Sequence, residues 1–521
     1  MPNNQTERDE ADLEHDLREL DTLEGRLFAH RYASVAIQFA GETQDPPAGA
    51  AGRGEALAAL DWEAHELLCA PETGALLDRL ADELGPDASA LPETDPLGPA
   101  RVAQLRVLAR DRADETNVPA DVAADFTRLA NEAQDVWVRA KRSSDWDAFA
   151  PYLDRLVASM RTIAALRAPG ADPYDAWLDY FEHGTSRAFY DRFFDEVKAC
   201  VVPLVAAVRE RGWQPSRACL EGRFAHDGQL ELSRRLMALE GVRADAIVLA
   251  ETEHPFSDAV TSQHAYIATH IHEDDLASNV FSMLHEGGHA MYEQNVDAAF
   301  DFTSLKGGVS MGVHESQSRF FENYVGRSQA FAPVLLGLLR EQWPGRFDGT
   351  TARDLWLAVN RAEPSLVRTE ADELTYPLHV IIRYELEQLL MSGEAKAADV
   401  PALWNERYRS YLGVEVPDDA RGCLQDVHWA GGMIGYFPTY ALGSAYGAQF
   451  LDAMRSGGLD FDAVVASGDL APIRAWLRER VWRFGRGKEP ADIVRDACGT
   501  PFDASHYTSY LARKFGEIYG L

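Results

Sequence analysis

The chain has 521 residues, 46% of them hydrophobic, and Lys+Arg 50 against Asp+Glu 83 gives a net charge of −33. That length supports a large core and roughly one to four domains, and an acidic excess of this size disfavours non-specific nucleic-acid binding. No stretch reaches the run of about 20 apolar residues that a membrane span needs, and the polar, acidic start Met1-Pro2-Asn3-Asn4-Gln5-Thr6-Glu7 is neither a signal nor a transit peptide, so the expected location is the cytoplasm.

Lysine is confined to Lys141, Lys198, Lys306, Lys396, Lys488 and Lys514. An acidic, hydrated surface keeps a protein soluble where salt screens its charge, at the cost of self-repulsion when salt is low. The composition reads as adaptation to high internal salt, as in halophiles. Five cysteines, Cys69, Cys200, Cys219, Cys423 and Cys498, are scattered without metal-ligand spacing and read as reduced thiols.

Taken in chain order, residues 9–35, 54–84, 99–142 and 144–167 are rich in Ala, Leu, Arg and Glu at helical period. Breaks fall at Asp45-Pro46-Pro47-Ala48-Gly49, Gly85-Pro86 and the Pro92–Gly98 cluster. Helices are expected again over 186–212 and 229–240. Residues 247–256 and 264–272 then read as strands, with His264, Tyr266, Ala268, His270 and His272 alternating onto one face. A strand at the edge of a cleft can pair with an extended peptide. Helices follow over 275–296, 313–343, 352–363, 368–392, 400–412, 437–456, 468–483, 489–498 and 504–518. No repeat or flexible linker interrupts them. The expected architecture is one mainly α-helical catalytic unit over 1–521. It comprises a helical N-terminal region over about 1–245, a metal and substrate region over about 246–445, and C-terminal helices over about 446–521.

The helix expected over 275–296 carries His285-Glu286-Gly287-Gly288-His289, the H-E-x-x-H pattern of helical zinc peptidases. Residues four apart share one helix face. His285 and His289 can therefore hold one metal ion, with Glu286 beside them to take a proton from an activated water. Each glycine costs about 1 kcal/mol against alanine inside a helix, so the Gly287-Gly288 pair points to a close approach by substrate or neighbouring backbone. A catalytic zinc needs a third protein ligand. Tyr292 and Asn295 stand where one well-known class has Gly and His, which excludes that class. The segment Gly312–Tyr324 reads as a second helix, and spacing alone leaves Glu315, Glu322 and His314 open as the third ligand.

The chain resembles the carboxypeptidase Taq family of metallocarboxypeptidases in five blocks. These are His254-Pro255-Phe256; His285-Glu286-Gly287-Gly288-His289; His314-Glu315-Ser316-Gln317-Ser318-Arg319; Arg368-Thr369-Glu370-Ala371-Asp372-Glu373; and Gly422-Cys423-Leu424-Gln425-Asp426-Val427-His428-Trp429, which continues into Gly435-Tyr436-Phe437-Pro438-Thr439-Tyr440. The resemblance implies a large helical body bisected by a deep groove, with a small β-sheet next to the metal. It implies release of single C-terminal residues from peptides, one divalent metal per chain (zinc, or cobalt), and a homodimer. It implies His285, His289 and Glu315 as ligands and Glu286 as general base. It also implies a groove position for His254, His428, Tyr436 and Tyr440.

A carboxypeptidase must recognise a free carboxylate, for which the planar fork of arginine is suited. Arg368 is the first choice, followed by Arg421 and Arg319. One departure stands out. Where the family carries Asp-x-Arg-x-Thr before the metal helix, this chain has His264, Tyr266 and Ala268, with His270 at a further basic position. That departure motivates an alternative, an oligopeptidase or dipeptidase of the same helical superfamily without strict need for a free carboxylate. A scaffold protein with a vestigial metal site is the second alternative, opposed by the intact His285, Glu286, His289 and Glu315. The charge itself makes a prediction: melting temperature climbs between low and molar potassium chloride as self-repulsion is screened, and a flat or falling trend in a thermal melt refutes the high-salt reading.

Overall fold

The computed structural model describes residues 3–84, 95, 97–252 and 255–521, with side chains from residue 12 onward. The chain is mainly α-helical with one small sheet. Prolines refine the expected helices. The 54–84 stretch is two helices, Ala50–Cys69 and Pro71–Leu84, because Pro71 cannot continue the first one. The 99–142 stretch divides at Val118-Pro119 into Ala100–Thr116 and Ala120–Ser143. The 313–343 helix is three pieces: Met311–Arg319, a wider π-helical turn over Phe320–Gly326, and Ala332–Gln342. The 368–392 helix begins only at Tyr376, after a short turn at Arg368–Glu370. Helices Pro173–Phe181 and Phe461–Ser467 are too short to show a periodic signal.

Two compact units emerge. One contains Met1–Asn117, Arg223–Val309 and Asp469–Ile493; the other contains Val118–Gly222, Ser310–Gly468 and Val494–Leu521. Each takes three separate stretches of chain, so neither leaves a linker for the sequence to show.

In the first unit the sheet has order β1-β3-β2. β1 (Ile247–Glu251) runs parallel to β3 (His264–Thr269), and β2 (Phe256–Thr261) runs antiparallel to it, with an irregularity between Ala259 and Thr261. The expected 247–256 strand is therefore only β1, and β2 is an addition. Its turn, Ser262-Gln263, lacks the Asn-Gly type signal that marks a hairpin in sequence. The alternation on β3 has a packing cause. Tyr266 and Ala268 are buried with Val260 and Phe39 in an apolar cluster, and the Tyr266 and Phe39 rings lie 4.3 Å apart. This cluster ties the sheet to the long helix Asn3–Thr43.

β3 also packs on the helix Leu276–Asn295, which bears the H-E-x-x-H pattern. Asp275 caps that helix by accepting from the Ser278 N–H at 3.0 Å. A buried polar network fixes its first turns: Thr269 Oγ1 and Ser233 Oγ both reach Asn279 Oδ1 at 3.2 Å, and Asn279 Nδ2 donates to the Gln229 carbonyl at 3.3 Å.

In the second unit, the helix Met311–Arg319 starts on a buried carboxylate. Glu182 accepts from the Gly312 N–H at 2.7 Å and from Ser310 Oγ at 2.9 Å, where a helix N-terminus favours negative charge. A Cβ at position 312 would stand 2.7 Å from Glu182 Oε2, so glycine makes this approach possible. Burial pushes the Glu182 carboxyl from its ordinary 4.5 up to about 7. The native state thus keeps a proton that the unfolded chain has released, and this contribution to stability is complete below pH 4.5 and lost as pH rises through 7. Glu182→Gln should remove the loss, gaining on wild type across that range by up to about 3 kcal/mol in chemical denaturation. A constant gap across the range contradicts it.

Candidate metal centre

The helix Leu276–Asn295 sets His285 and His289 one turn apart, both half-buried, with ring centroids 4.9 Å apart and planes at 83°. Glu286, between them in sequence, is buried. Glu315 is buried on the helix Met311–Arg319, and its carboxylate is held by two neighbours one turn on. Arg319 Nε donates to Oε1 at 2.7 Å, and Ser318 Oγ donates to Oε2 at 3.0 Å. Gly443, on the helix Pro438–Ser456, lets this residue in, because a Cβ there would lie 2.7 Å from the Glu315 Cβ and Cγ.

The ligand atoms of His285, His289 and Glu315 all lie within 4.8 Å of one another. Two imidazoles and a carboxylate are a donor set that suits one divalent ion with a position left open. Among the described residues one other such group exists, His15, Asp16 and Glu19, but it is largely exposed and Asp16 is bound to Arg79 at 2.7 Å. Neither His314 nor Glu322 joins the His285 group. The Glu322 carboxylate faces Arg319 and Arg327 at 3.1 and 3.4 Å.

Four of the residues proposed from sequence for substrate contact gather in the second unit. Arg368 is buried, and its guanidinium meets Asp426 Oδ1 through Nε and Nη2 at 3.1 and 2.9 Å. It lies 4.9 Å from the Tyr440 ring and 5.4 Å from that of Phe437. The fully buried Arg383 takes the other oxygen of Asp426 at 2.7 Å. Two arginines thus share one aspartate, and their positive charges hold the Asp426 carboxyl far below its ordinary value despite burial. His428 Nε2 is bonded to Tyr440 Oη at 3.1 Å, and its ring packs on Phe437 at 4.5 Å and Tyr436 at 5.8 Å. Burial first, with Arg368 and Arg383 adding to it, lowers the His428 pKa to about 4, so the imidazole is neutral near pH 7. Arg421 stands apart, exposed and paired with Asp418 at 2.6 Å. His254 lies outside the described residues.

The comparisons with known proteins cover nearly the whole chain. The family model for carboxypeptidase Taq (M32) metallopeptidases matches residues 21–515. The chain belongs to this family. Carboxypeptidase 1 of Bacillus subtilis (strain 168) is 35% identical over 494 residues, covering 95% of this chain and 97% of that protein. Thermostable carboxypeptidase 1 of Thermus thermophilus is 34% identical over 487 residues, covering 92% and 94%. The crystal structure of the M32 carboxypeptidase from Deinococcus radiodurans R1 superposes with a TM-score of 0.92 at 33% identity, covering 97% of this chain and all of that one.

The β3 residues singled out from sequence have clear structural settings. Tyr266 and Ala268 face the apolar cluster around Phe39. His264 Nδ1 bonds the Tyr32 hydroxyl at 2.8 Å, and His270 Nδ1 donates to the Thr252 carbonyl at 2.6 Å. The supports of the Arg368 cluster lie outside the residues proposed from sequence. Asp426 and Arg383 position Arg368. Glu387, fully buried, holds the His428–Tyr436 segment by accepting from Trp429 Nε1 at 2.8 Å, from the Gly435 N–H at 2.9 Å and from the Tyr174 hydroxyl at 2.9 Å. A carboxylate on a periodic helix gives no sequence signal of burial; only its setting between Leu386 and Leu390 hinted at it.

The two acidic residues near Arg319 differ in a testable way. Glu315→Ala should weaken metal binding by more than about 100-fold, and Glu322→Ala by less than about tenfold. Titration against a chelator measures both, and equal loss in the two variants contradicts the assignment.

Proposed function

We propose that this M32 metallopeptidase removes single C-terminal residues from peptides, with His285, His289 and Glu315 holding one zinc ion, or cobalt, and Glu286 as general base. The observation that carries the reading is the convergence of two imidazoles and one carboxylate within 4.8 Å beside a buried glutamate. A divalent ion bound there supplies Lewis-acid polarisation of the scissile carbonyl and makes a water acidic near neutral pH. Glu286 takes the proton of the attacking water and passes it to the leaving amine. Arg319 and Ser318 fix the Glu315 carboxylate so that it presents a defined oxygen.

The Arg368 cluster supports recognition of a free carboxylate. Two guanidinium groups meet the one carboxylate of Asp426 beside Tyr376, Tyr440 and neutral His428. Tyr436 and Tyr440 are oxyanion donors in this reading, with burial keeping both phenols protonated. The proposal extends to a cytoplasmic homodimer adapted to high salt. In support of the last point, of six lysines only Lys396 is exposed, and Lys306 and Lys514 are buried against Glu293 and Glu373.

Glu286→Gln tests the general base. The amide fills the same space and cannot accept a proton. Turnover should fall by at least about 1,000-fold with metal content and melting temperature unchanged. A metal-loaded variant that keeps most of its peptidase activity refutes the role.

A further inference from the structure

Glu240 is the last residue of the helix His226–Glu240, which packs against the helix bearing His285 and His289. Its side chain is fully buried, an uncommon place for a carboxyl group. Among the described residues, neither of its oxygens receives a hydrogen bond. Arg474, which packs on Gly241, donates at 2.9 Å to the Glu240 main-chain carbonyl rather than to the carboxyl. Burial without a compensating charge pushes the group well above the ordinary carboxylic range, so it is carried as the neutral acid.

The carboxyl group rests on the backbone of Gly287. A Cβ at 287 would stand 2.0 Å from Glu240 Oε2 and 2.7 Å from its Cδ. No side chain fits at 287 while Glu240 keeps this place. Gly287 directly follows Glu286 and lies two residues from both His285 and His289. A glycine inside a helix costs about 1 kcal/mol against alanine, and here it admits a neighbour that any other residue would push away.

We propose that Glu240 and Gly287 form one positioning unit, in which the buried carboxyl group seats on bare helix backbone and sets how the helix presents His285, Glu286 and His289. Glu240 acts through the backbone and touches no reacting atom. The proposal rests on the metal-site reading above, but it predicts a coupling between two positions that the reading alone does not.

The test is a double-mutant cycle on the full chain: wild type, Gly287→Ala, Glu240→Ala and the double variant. Three quantities are read: zinc affinity by chelator competition, kcat and KM on a free-acid peptide, and melting temperature of metal-free protein. Gly287→Ala should lower kcat by about tenfold or more with KM within about threefold, since a small misplacement of catalytic groups is costly. It should also weaken zinc binding and lower the melting temperature. In the Glu240→Ala background, where the wedge is gone, the same substitution should change kcat and zinc affinity by less than about threefold. Equal losses in both backgrounds overturn the proposal. So does a fall in melting temperature alone, with kcat and zinc affinity intact. If Gly287→Ala does not fold, recovery of folded, zinc-binding double variant supports the unit and failure to recover overturns it. Absence of zinc binding and turnover in wild type would instead refute the metal-site reading, while the melting-temperature cycle would still judge the coupling.

Discussion

The site depends on how closely side chains can come to helix backbone. At Gly287, Gly312 and Gly443 a single added Cβ would meet a glutamate at 2.0, 2.7 and 2.7 Å. These glutamates are Glu240, Glu182 and Glu315, and all three are buried. The first contact bears on the helix of His285 and His289, the second on the start of the Glu315 helix, and the third on Glu315 itself. Interiors are close-packed and transmit small displacements. Glu182 and Glu315 are hydrogen-bonded as well as closely packed, whereas among the described residues Glu240 is held by close packing alone.

Burying carboxyl groups around such a site demands compensation, because an isolated ion in the interior is very costly. The molecule meets the demand in three ways. Asp426 stays ionised between Arg368 and Arg383. Glu387 collects three donors, two of them N–H groups that can only donate. Among the described residues, Glu240 has neither cation nor donor, and it keeps its proton. The same low-dielectric surroundings keep His428 neutral beside Tyr440.

Much of this was legible from sequence where the chemistry imposes a spacing. His285 and His289 sit four apart, a spacing at which two imidazoles on one helix face can share a metal, and that spacing exposes them as candidates. The family blocks drew Glu315 out from Glu322 and His314, a choice that periodicity could not make. What stayed hidden depends on contacts distant along the chain. β2 has no turn signal and becomes a strand only because β3 lies beside it. The alternation of His264, Tyr266 and Ala268 onto one face is visible in the sequence, but the partner of Tyr266 and Ala268, Phe39, lies more than two hundred residues earlier. The Gly287-Gly288 pair suggested an approach by substrate or backbone, and at Gly287 the approaching group is the Glu240 side chain.

On the reading proposed above, this M32 enzyme acts on peptides with a free C-terminus, and the Arg368 cluster is the group proposed to recognise it. Mass spectrometry of a matched pair of peptides, identical except for a C-terminal acid or amide, tests it most directly when run with zinc-loaded wild type in molar salt. Stepwise loss of single residues from the acid is expected, with an amide that stays essentially whole. Comparable cutting of both peptides, or internal fragments from either, contradicts it and favours the broader oligopeptidase.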